Sequence, residues 1–181
     1  MKHAGLRFLL AGLPIITAVM LVADDSPRIK IQDDCQPATF NLDPPNGAGP
    51  GTCRANFDGE TAFQKFIQQI IQNHKAVDWR FDDTPDHVAA GTTLHLRNEG
   101  GETHSFTRVQ NFGGGIVPIL NQLSGQTTLA SECFGPNVGG TFVPSQARDQ
   151  VGPTLTPTDR GKTIKFQCCI HPWMRTEVTV R

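Results

Sequence analysis

The sequence predicts a mainly β domain with one amphipathic helix and one long loop insertion. The 181 residues include 18 glycines and 13 prolines, a composition typical of chains with many turns. Short segments that alternate apolar and polar residues follow residue 77, and this alternation is the pattern of half-buried strands. The hydrophobic content of 38% is enough for one core of the size of a β-sandwich.

The first 23 residues are predicted to be a secretory signal peptide and not part of the fold. Lys2 and Arg7 precede the apolar residues 8–23, and two acidic residues follow them, which is the usual order of such a signal. The apolar run is short for a membrane span, and Pro14 interrupts it. We therefore expect a periplasmic or secreted protein, with an uncleaved amino-terminal anchor as the alternative.

Residues 24–60 are predicted to form an irregular amino-terminal extension, because they are polar and rich in turn residues. Residues 61–181 are predicted to hold the helix and the β domain. The helix is expected over residues 61–74, where apolar side chains recur at three- and four-residue spacing: they are Phe63, Phe66, Ile67, Ile70 and Ile71. Thr61 and Gln64 are placed for a capping box at its start.

Five strands are predicted after the helix. They cover residues 77–81, 92–98, 104–109, 162–168 and 176–181. Residues 110–160 are rich in glycine and proline and are predicted to be a long loop, a length that is unusual in a compact domain and often functional.

The charge of the chain argues against one class of partner. The formal net charge is −1, and no cluster of basic residues stands out, so nucleic acid is not a predicted partner.

We expect a monomer without a membrane span in its mature form.

One short segment near the carboxyl terminus has the residue types and spacing of a metal site. Cys168, His171 and Met174 follow one another with two residues between each pair. Imidazole suits both oxidation states of copper, thiolate suits the reduced state, and thioether is a weak axial donor. His104, which follows a glycine turn and opens a strand, is predicted as the fourth ligand of one copper ion. The remaining histidines are interpreted as surface residues: His3, His74, His87 and His95.

The two adjacent cysteines are separated by strand geometry. Ile164, Phe166 and Cys168 fall on one face of the predicted strand, and Cys169 falls on the other. Cys168 is therefore predicted to face the metal, while Cys169 is free to form a disulfide.

The five cysteines are an odd number, so one thiol is left over, and metal binding is a reason for it to stay reduced. Cys133 is the candidate partner of Cys169, which leaves Cys35 to pair with Cys53. The other two pairings of these four cysteines stay open.

The loop from Cys168 to Met174, followed by a Val178/Val180 strand, resembles the copper-binding loop of the cupredoxins, the type 1 blue copper proteins. It is most similar to their amicyanin-like and plastocyanin-like members, and the resemblance extends over residues 77–110 and 160–181. It implies a Greek-key β-sandwich and one mononuclear type 1 copper held by His104, Cys168, His171 and Met174. It also implies one-electron transfer between redox partners.

Two features depart from the family pattern. The gap between His104 and Cys168 is longer than in the small cupredoxins. Ser105 stands where plastocyanin-like chains often carry an asparagine that braces the loop.

Electron transfer is expected to take place through an exposed edge of His171. Pro172 and Trp173 would form a small apolar patch around it, on which transient redox proteins dock. Phe81, Phe106 and Phe166 are predicted to pack around the site.

Two other classes of function compete with electron transfer. A periplasmic copper carrier or store could use the same ligands, but such proteins more often carry Met-rich or His-rich tracts, and this chain has three methionines. A copper enzyme would need a second site, often built from a His-x-His pair, which the sequence lacks. We therefore predict that the protein is not an enzyme.

Overall fold

The computed structural model describes residues 26–134 and 140–181, so the predicted signal peptide lies outside the described residues. The chain forms two β-sheets. The first contains, in spatial order, β2 (Arg80–Asp82), β1 (Arg28–Gln32), β4 (Thr93–Asn98) and β7 (Gln150–Thr154). The second contains β3 (His87–Val88), β9 (Arg175–Val180), β8 (Thr163–Gln167), β5 (His104–Val109) and β6 (Gly140–Val143).

Both sheets are mixed. In the first, β1 runs parallel to β4, with Ile29 opposite Leu96, and antiparallel to β2. In the second, β8 runs antiparallel to both β5 and β9, and only β3 is parallel to its neighbour. The pairing of β5 with β8 sets Thr107 opposite Gln167, which brings the start of β5 beside the end of β8.

The core lies between the two sheets. Alternate side chains from both sheets are buried in one cluster, which includes Ile29, Ile31, Leu94, Leu96, Phe106, Phe166, Val178 and Val180. Burial of each large apolar side chain contributes about 1.5–3 kcal/mol. The prediction of a mainly β sandwich is confirmed.

The amino-terminal region is more ordered than predicted. Residues 28–32 were expected to be irregular, but they form β1, whose Ile29 and Ile31 are fully buried between neighbouring strands. A short helix, α1 (Pro37–Phe40), follows. The strand is stable because β2 and β4 flank it on both sides, and these partners come from distant parts of the chain.

The amphipathic helix is present as α2 (Phe63–Asn73), and it buries Phe66 and Ile70. Ile71 is 56% exposed. The predicted capping box is wrong, because the helix starts after Ala62 without a side-chain cap. The Thr61 hydroxyl instead donates to Asp34 Oδ2 at 2.7 Å.

The segment predicted as a long loop contains several short elements. Besides β6 and β7, it forms a helix, α3 (Pro118–Leu123), and a 3₁₀ turn at Ser131–Cys133. Each of these elements is at most six residues long, too short for a clear periodic pattern in the sequence. Among residues 26–134 and 140–181, none of the helices has the length and apolar character needed to cross a membrane.

Candidate metal centre

Three of the four predicted metal ligands meet at one end of the second sheet. His104 is the first residue of β5, Cys168 directly follows β8, and His171 lies in the loop before β9. All three side chains are buried, and one donor atom from each lies within 4.8 Å of the other two. The pairing of β5 with β8 therefore brings together residues that are 64 positions apart in the chain.

The distances between the donor atoms fit a single metal ion. Cys168 Sγ lies 3.8 Å from His104 Nδ1 and 3.9 Å from His171 Nδ1, and the two Nδ1 atoms are 3.2 Å apart. Donors that share one metal at bond lengths of about 2.0–2.3 Å lie roughly 3–4 Å from one another. The sulfur and the two imidazole nitrogens satisfy this condition.

Met174, the fourth predicted ligand, is held by the same loop. Its amide donates to the carbonyl oxygen of His171 at 2.9 Å, and its own carbonyl accepts from the amide of Cys168 at 3.0 Å. The side chain is 1% exposed. These two backbone hydrogen bonds close the loop into a compact turn around Cys168.

Cys168 is the free cysteine of the chain. Its sulfur accepts hydrogen bonds from the amides of Ser105 and His171, each at 3.4 Å. Amide donors stabilise negative charge on the sulfur, so both contacts favour the thiolate, which is the form that binds metals.

The electrostatics of the site favour the same form. Burial opposes ionisation of the Cys168 thiol, but hydrogen bonds and charge interactions with His104 and His171 outweigh it and hold the pKa well below its usual range. Burial also opposes the charged form of His104, which by itself would lower the pKa of the imidazole. Hydrogen bonds and charge interactions with Asp33 and Cys168 outweigh burial and raise this pKa above its ordinary value. These interactions favour a thiolate at Cys168, and a metal cation can take the place of a proton between the sulfur and the imidazole.

Asp33 orients His104. The Nε2–H of His104 donates to Asp33 Oδ2 at 2.8 Å, which leaves Nδ1 free to face Cys168. Asp33 also accepts from the amides of Gly101 and Glu102 at 2.9 and 3.0 Å. Burial alone would raise the pKa of Asp33, but its contacts with His104 and these amides lower it. A Cβ at Gly100 would lie 1.9 Å from Asp33 Oδ2, so this close approach requires glycine.

Glu102 lies beside the other histidine. Its Oε2 accepts a hydrogen bond from Trp79 Nε1 and lies 3.6 Å from His171 Nε2. The side chain is 4% exposed, and burial raises the pKa of its carboxyl group. Sequence reasoning missed both Asp33 and Glu102. The two-residue spacing between Glu102 and His104 is a usable signal for Glu102, whereas nothing in the sequence marks Asp33.

Ser105 braces the loop that begins at Cys168. Its hydroxyl oxygen accepts a hydrogen bond from the amide of Cys169 at 2.7 Å. Its own amide donates to Cys168 Sγ. One residue of β5 therefore binds both cysteines of the loop, which limits movement of the sulfur ligand.

The predicted disulfides are confirmed. Cys35 is bonded to Cys53, and Cys133 is bonded to Cys169. Cys169 packs in a small separate cluster that includes Val109 and Ala130, while Cys168 belongs to the main core. Strand alternation therefore assigned the two adjacent cysteines to the correct sides.

His171 does not have the exposed edge that the sequence analysis predicted. It is 2% exposed, and Pro172 beside it is also buried. Two aromatic rings pack against its imidazole. Phe66 of α2 makes an edge contact with ring centroids 6.2 Å apart, and Trp173 lies at 5.5 Å. The prediction was wrong because α2 packs over this end of the sandwich.

The predicted aromatic packing is present. Phe106 and Phe166 are stacked at 4.4 Å, and Phe81 meets Phe106 edge-on at 5.1 Å. Phe106 and Phe166 are buried in the main core, and Phe81 packs against it while partly exposed. Phe106 and Phe166 belong to the same buried cluster as Cys168 and Met174.

The other histidines within the described residues lie away from the cluster. His74 and His87 are exposed. His95 was expected to point to solvent, but it is half-buried and its Nδ1 lies 2.9 Å from Asp149 Oδ1. His3 lies outside the described residues.

Comparison with solved structures finds similar folds at low sequence identity. No protein-family model and no curated protein matches the chain. A novel purple cupredoxin from Nitrosopumilus maritimus matches with 11% identity and a TM-score of 0.40, over 85% of this chain and 98% of that one. An oxidised proline-to-glycine variant of amicyanin matches with 15% identity and a TM-score of 0.37, over 90% and 88%. With scores this low, we draw no functional conclusion from these similarities.

Proposed function

We propose that this chain is an exported type 1 copper protein that transfers one electron at a time. His104, Cys168, His171 and Met174 would hold one mononuclear copper ion. The observation that carries the proposal is the buried group of two imidazole nitrogens and one sulfur within 4.8 Å of one another.

The chemistry of these donors suits a redox metal. Two imidazoles, a thiolate and a weak thioether form a ligand set that copper accepts in both of its oxidation states. A copper ion bound there would supply reversible one-electron chemistry.

The surrounding residues keep the ligands in one arrangement. Asp33 fixes the ring of His104, the Ser105 hydroxyl holds the loop, and the Met174 backbone closes it. A site that does not rearrange has little reorganisation energy, and this favours fast electron transfer.

The two disulfides support export. Disulfides form and persist in oxidising compartments, and both pairs close in this fold.

We propose transient redox proteins as the partners. Because His171 is covered, an electron exchanged with them would pass through the covering residues Phe66 or Trp173.

A periplasmic copper carrier without an electron-transfer role is the second candidate. The burial of His171 favours it, since a store gains from shielding its metal, whereas an electron carrier gains from an accessible ligand. Against it stands the small number of methionines, 3 in the whole chain. We propose no enzymatic activity for either candidate.

The visible absorption spectrum of the Cu(II)-loaded protein tests the copper site. We expect an intense thiolate-to-copper band that a reductant bleaches and that the Cys168→Ala variant lacks. His87→Ala, which changes an exposed histidine, is the matched control and should keep the band. A pale spectrum that Cys168→Ala leaves unchanged would contradict the proposal.

Stopped-flow mixing with inorganic redox complexes separates the two candidate functions. Repeated, rapid and complete bleaching and recovery of the band supports electron transfer. Slow or incomplete cycling of a protein that nevertheless binds copper tightly supports the carrier.

A further inference from the structure

A cavity of about 650 Å³ lies next to the candidate metal centre and reaches His171 and Glu102. Helices α2 and α3 and the segment after α1 form its walls. Its volume is within the range of about 300–1,000 Å³ that is common for small-molecule sites. The cavity therefore offers a route from the surface to the covered imidazole.

The walls of this cavity are apolar and in large part aromatic. Phe40, Phe63 and Phe66 contribute rings, and Ile67 and Leu120 contribute aliphatic side chains from the two facing helices. Phe40 and Phe63 meet edge-on at 5.4 Å, and Phe40 and Phe66 are tilted at 5.3 Å. Aromatic rings pair favourably in stacked and edge-to-face arrangements, so these walls suit a flat aromatic guest.

Two of the polar residues that line the cavity, Glu102 and His171, belong to the candidate metal centre and its surroundings. Glu102 Oε2 already accepts from Trp79 Nε1, but within the described residues no donor reaches its other oxygen, Oε1. His171 directs Nδ1 towards Cys168, and its Nε2 lies on the side of Glu102. Oε1 is not among the buried side-chain atoms that lack a partner, so a ligand hydroxyl that donates to it takes the place of solvent.

We propose that this cavity binds a small uncharged aromatic molecule that carries a hydroxyl group, of the phenol class. A hydroxyl both donates and accepts, so it can donate to Glu102 while it accepts from the Nε2–H of His171. A carboxylate guest or a cationic guest would have to lose its water against the apolar walls, which is costly.

The proposal concerns binding alone and does not depend on the metal. The cavity is lined by this chain's own side chains, among them Glu102 and the aromatic rings. A failure to bind phenol and a failure to bind copper are therefore separate results.

The test measures phenol binding by methyl NMR, with the protein in both its Cu(I) and its metal-free form. We expect saturable shifts of the Ile67 and Leu120 methyl signals, and nuclear Overhauser contacts between the phenol ring and these methyls. Toluene, which lacks the hydroxyl, should bind about fivefold more weakly, the size expected for one hydrogen bond. Benzoate should not compete with phenol.

Two variants of α2 locate the site. Ile67→Trp fills the cavity and should weaken phenol binding at least tenfold. Ile71→Trp, which changes an exposed residue of the same helix, should leave it unchanged. The proposal is overturned if phenol gives no saturable shift, if toluene binds as tightly as phenol, or if both variants weaken binding equally. The first two criteria use the unaltered protein, so they hold even if Ile67→Trp fails to fold.

Discussion

Each candidate histidine ligand has a buried carboxyl group beside its Nε2 atom. Asp33 lies beside His104, and Glu102 lies beside His171. Asp33 accepts from His104 Nε2 at 2.8 Å, and Glu102 lies 3.6 Å from His171 Nε2. Carboxylates in such positions orient the imidazole and increase its basicity towards a metal. The shorter contact and the additional amide donors to Asp33 indicate that His104 is the more firmly held of the two.

Asp33→Asn should raise the reduction potential of the bound copper. The substitution removes a negative charge next to His104 and so favours Cu(I) over Cu(II). We expect a rise of about 60 mV, which for one electron corresponds to about 1.4 kcal/mol. Asp34→Asn is the matched control, because Asp34 bonds the Thr61 hydroxyl instead of a candidate ligand. Voltammetry that shows equal potentials for Asp33→Asn and the unaltered protein would contradict this role.

Ser105→Ala should loosen the loop from Cys168 to Met174. It leaves the buried amide of Cys169 without its acceptor, which costs about 1–3 kcal/mol. Chemical unfolding should show the lost stability, and copper release to a chelator should be faster. Ser131→Ala removes an exposed hydroxyl that contacts Glu132 and should change neither quantity. Unchanged copper release in Ser105→Ala would show that the backbone alone holds the loop.

At the scale of elements, helix α2 determines how far the candidate metal centre is exposed to solvent. Its Phe66 packs on Trp79 with ring centroids 4.6 Å apart and also contacts the edge of His171. The opposite face of the helix, with Ile71, is exposed. The helix therefore acts as a cover for the ligand that the sequence analysis expected at the surface.

Phe66→Ala should open this cover. Loss of a buried phenylalanine costs about 3–5 kcal/mol of stability, so the experiment is run well below the unfolding temperature. We expect faster reaction of the bound copper with hexacyanoferrate in stopped-flow mixing, because His171 becomes accessible. Ile71→Ala provides the comparison on the exposed face. If both variants react at the original rate, electrons leave by another route, for which Trp173 is the candidate.

An ion pair ties β5 to the turn before β8. Asp159 accepts from Arg108 Nη1 and Nη2 at 3.0 and 2.7 Å, and from the amide of Thr156 at 2.9 Å. The Arg108 guanidinium, opposed only in part by burial, holds the pKa of Asp159 well below its usual range. Since the pKa is lower in the folded state, the stabilisation is complete above the unfolded pKa of about 3.9 and is lost as the pH falls through the folded pKa.

Asp159→Asn should therefore destabilise the protein in a pH-dependent way. Arg108 is partly exposed, so we expect a loss of about 1 kcal/mol at neutral pH. The difference in unfolding free energy from the unaltered protein should shrink as the pH falls below about 4. Denaturant unfolding at a series of pH values measures it, with Asp82→Asn in an exposed pair as the control. A difference that does not change with pH would show that charge is not its cause.

At the scale of the whole molecule, two disulfides join segments that lie outside the strands. The Cys35–Cys53 bridge spans 18 residues, and the Cys133–Cys169 bridge spans 36. The first lies two residues from Asp33, and the second includes the neighbour of Cys168. Both bridges therefore constrain the unfolded chain and also the surroundings of the ligands.

Removal of each bridge by paired Cys→Ser substitutions should lower stability to a different degree. Chain entropy predicts a loss of about 3 kcal/mol for Cys35–Cys53 and about 4 kcal/mol for Cys133–Cys169. Removal of the second should also alter the copper absorption band, because Cys169 flanks Cys168. Denaturant unfolding and absorption spectra measure both effects. An unchanged band after loss of Cys133–Cys169 would contradict the coupling between this bridge and the site.

Sequence patterns predicted those parts of the fold that depend on residues close together in the chain. The strand at residues 104–109 has the predicted bounds, and Cys168 and Cys169 fall on the predicted sides. Strand β1 was missed, since its five residues sit in a polar, turn-rich stretch, and its stability comes from two flanking strands. The helix in the long loop was missed for a similar reason, because six residues are too few for a clear period.

The sequence by itself determined the candidate ligands, the thiol that stays free and the alternation of the strands. Each of these follows from the spacing of residues along the chain and from the alternating direction of side chains in a strand. Neither property depends on which distant segments pack together. The tertiary structure alone decided that Asp33 holds His104 from 71 residues away and that α2 covers His171. Such contacts depend on how distant segments pack, and burial of apolar surface drives that packing without regard to separation along the chain.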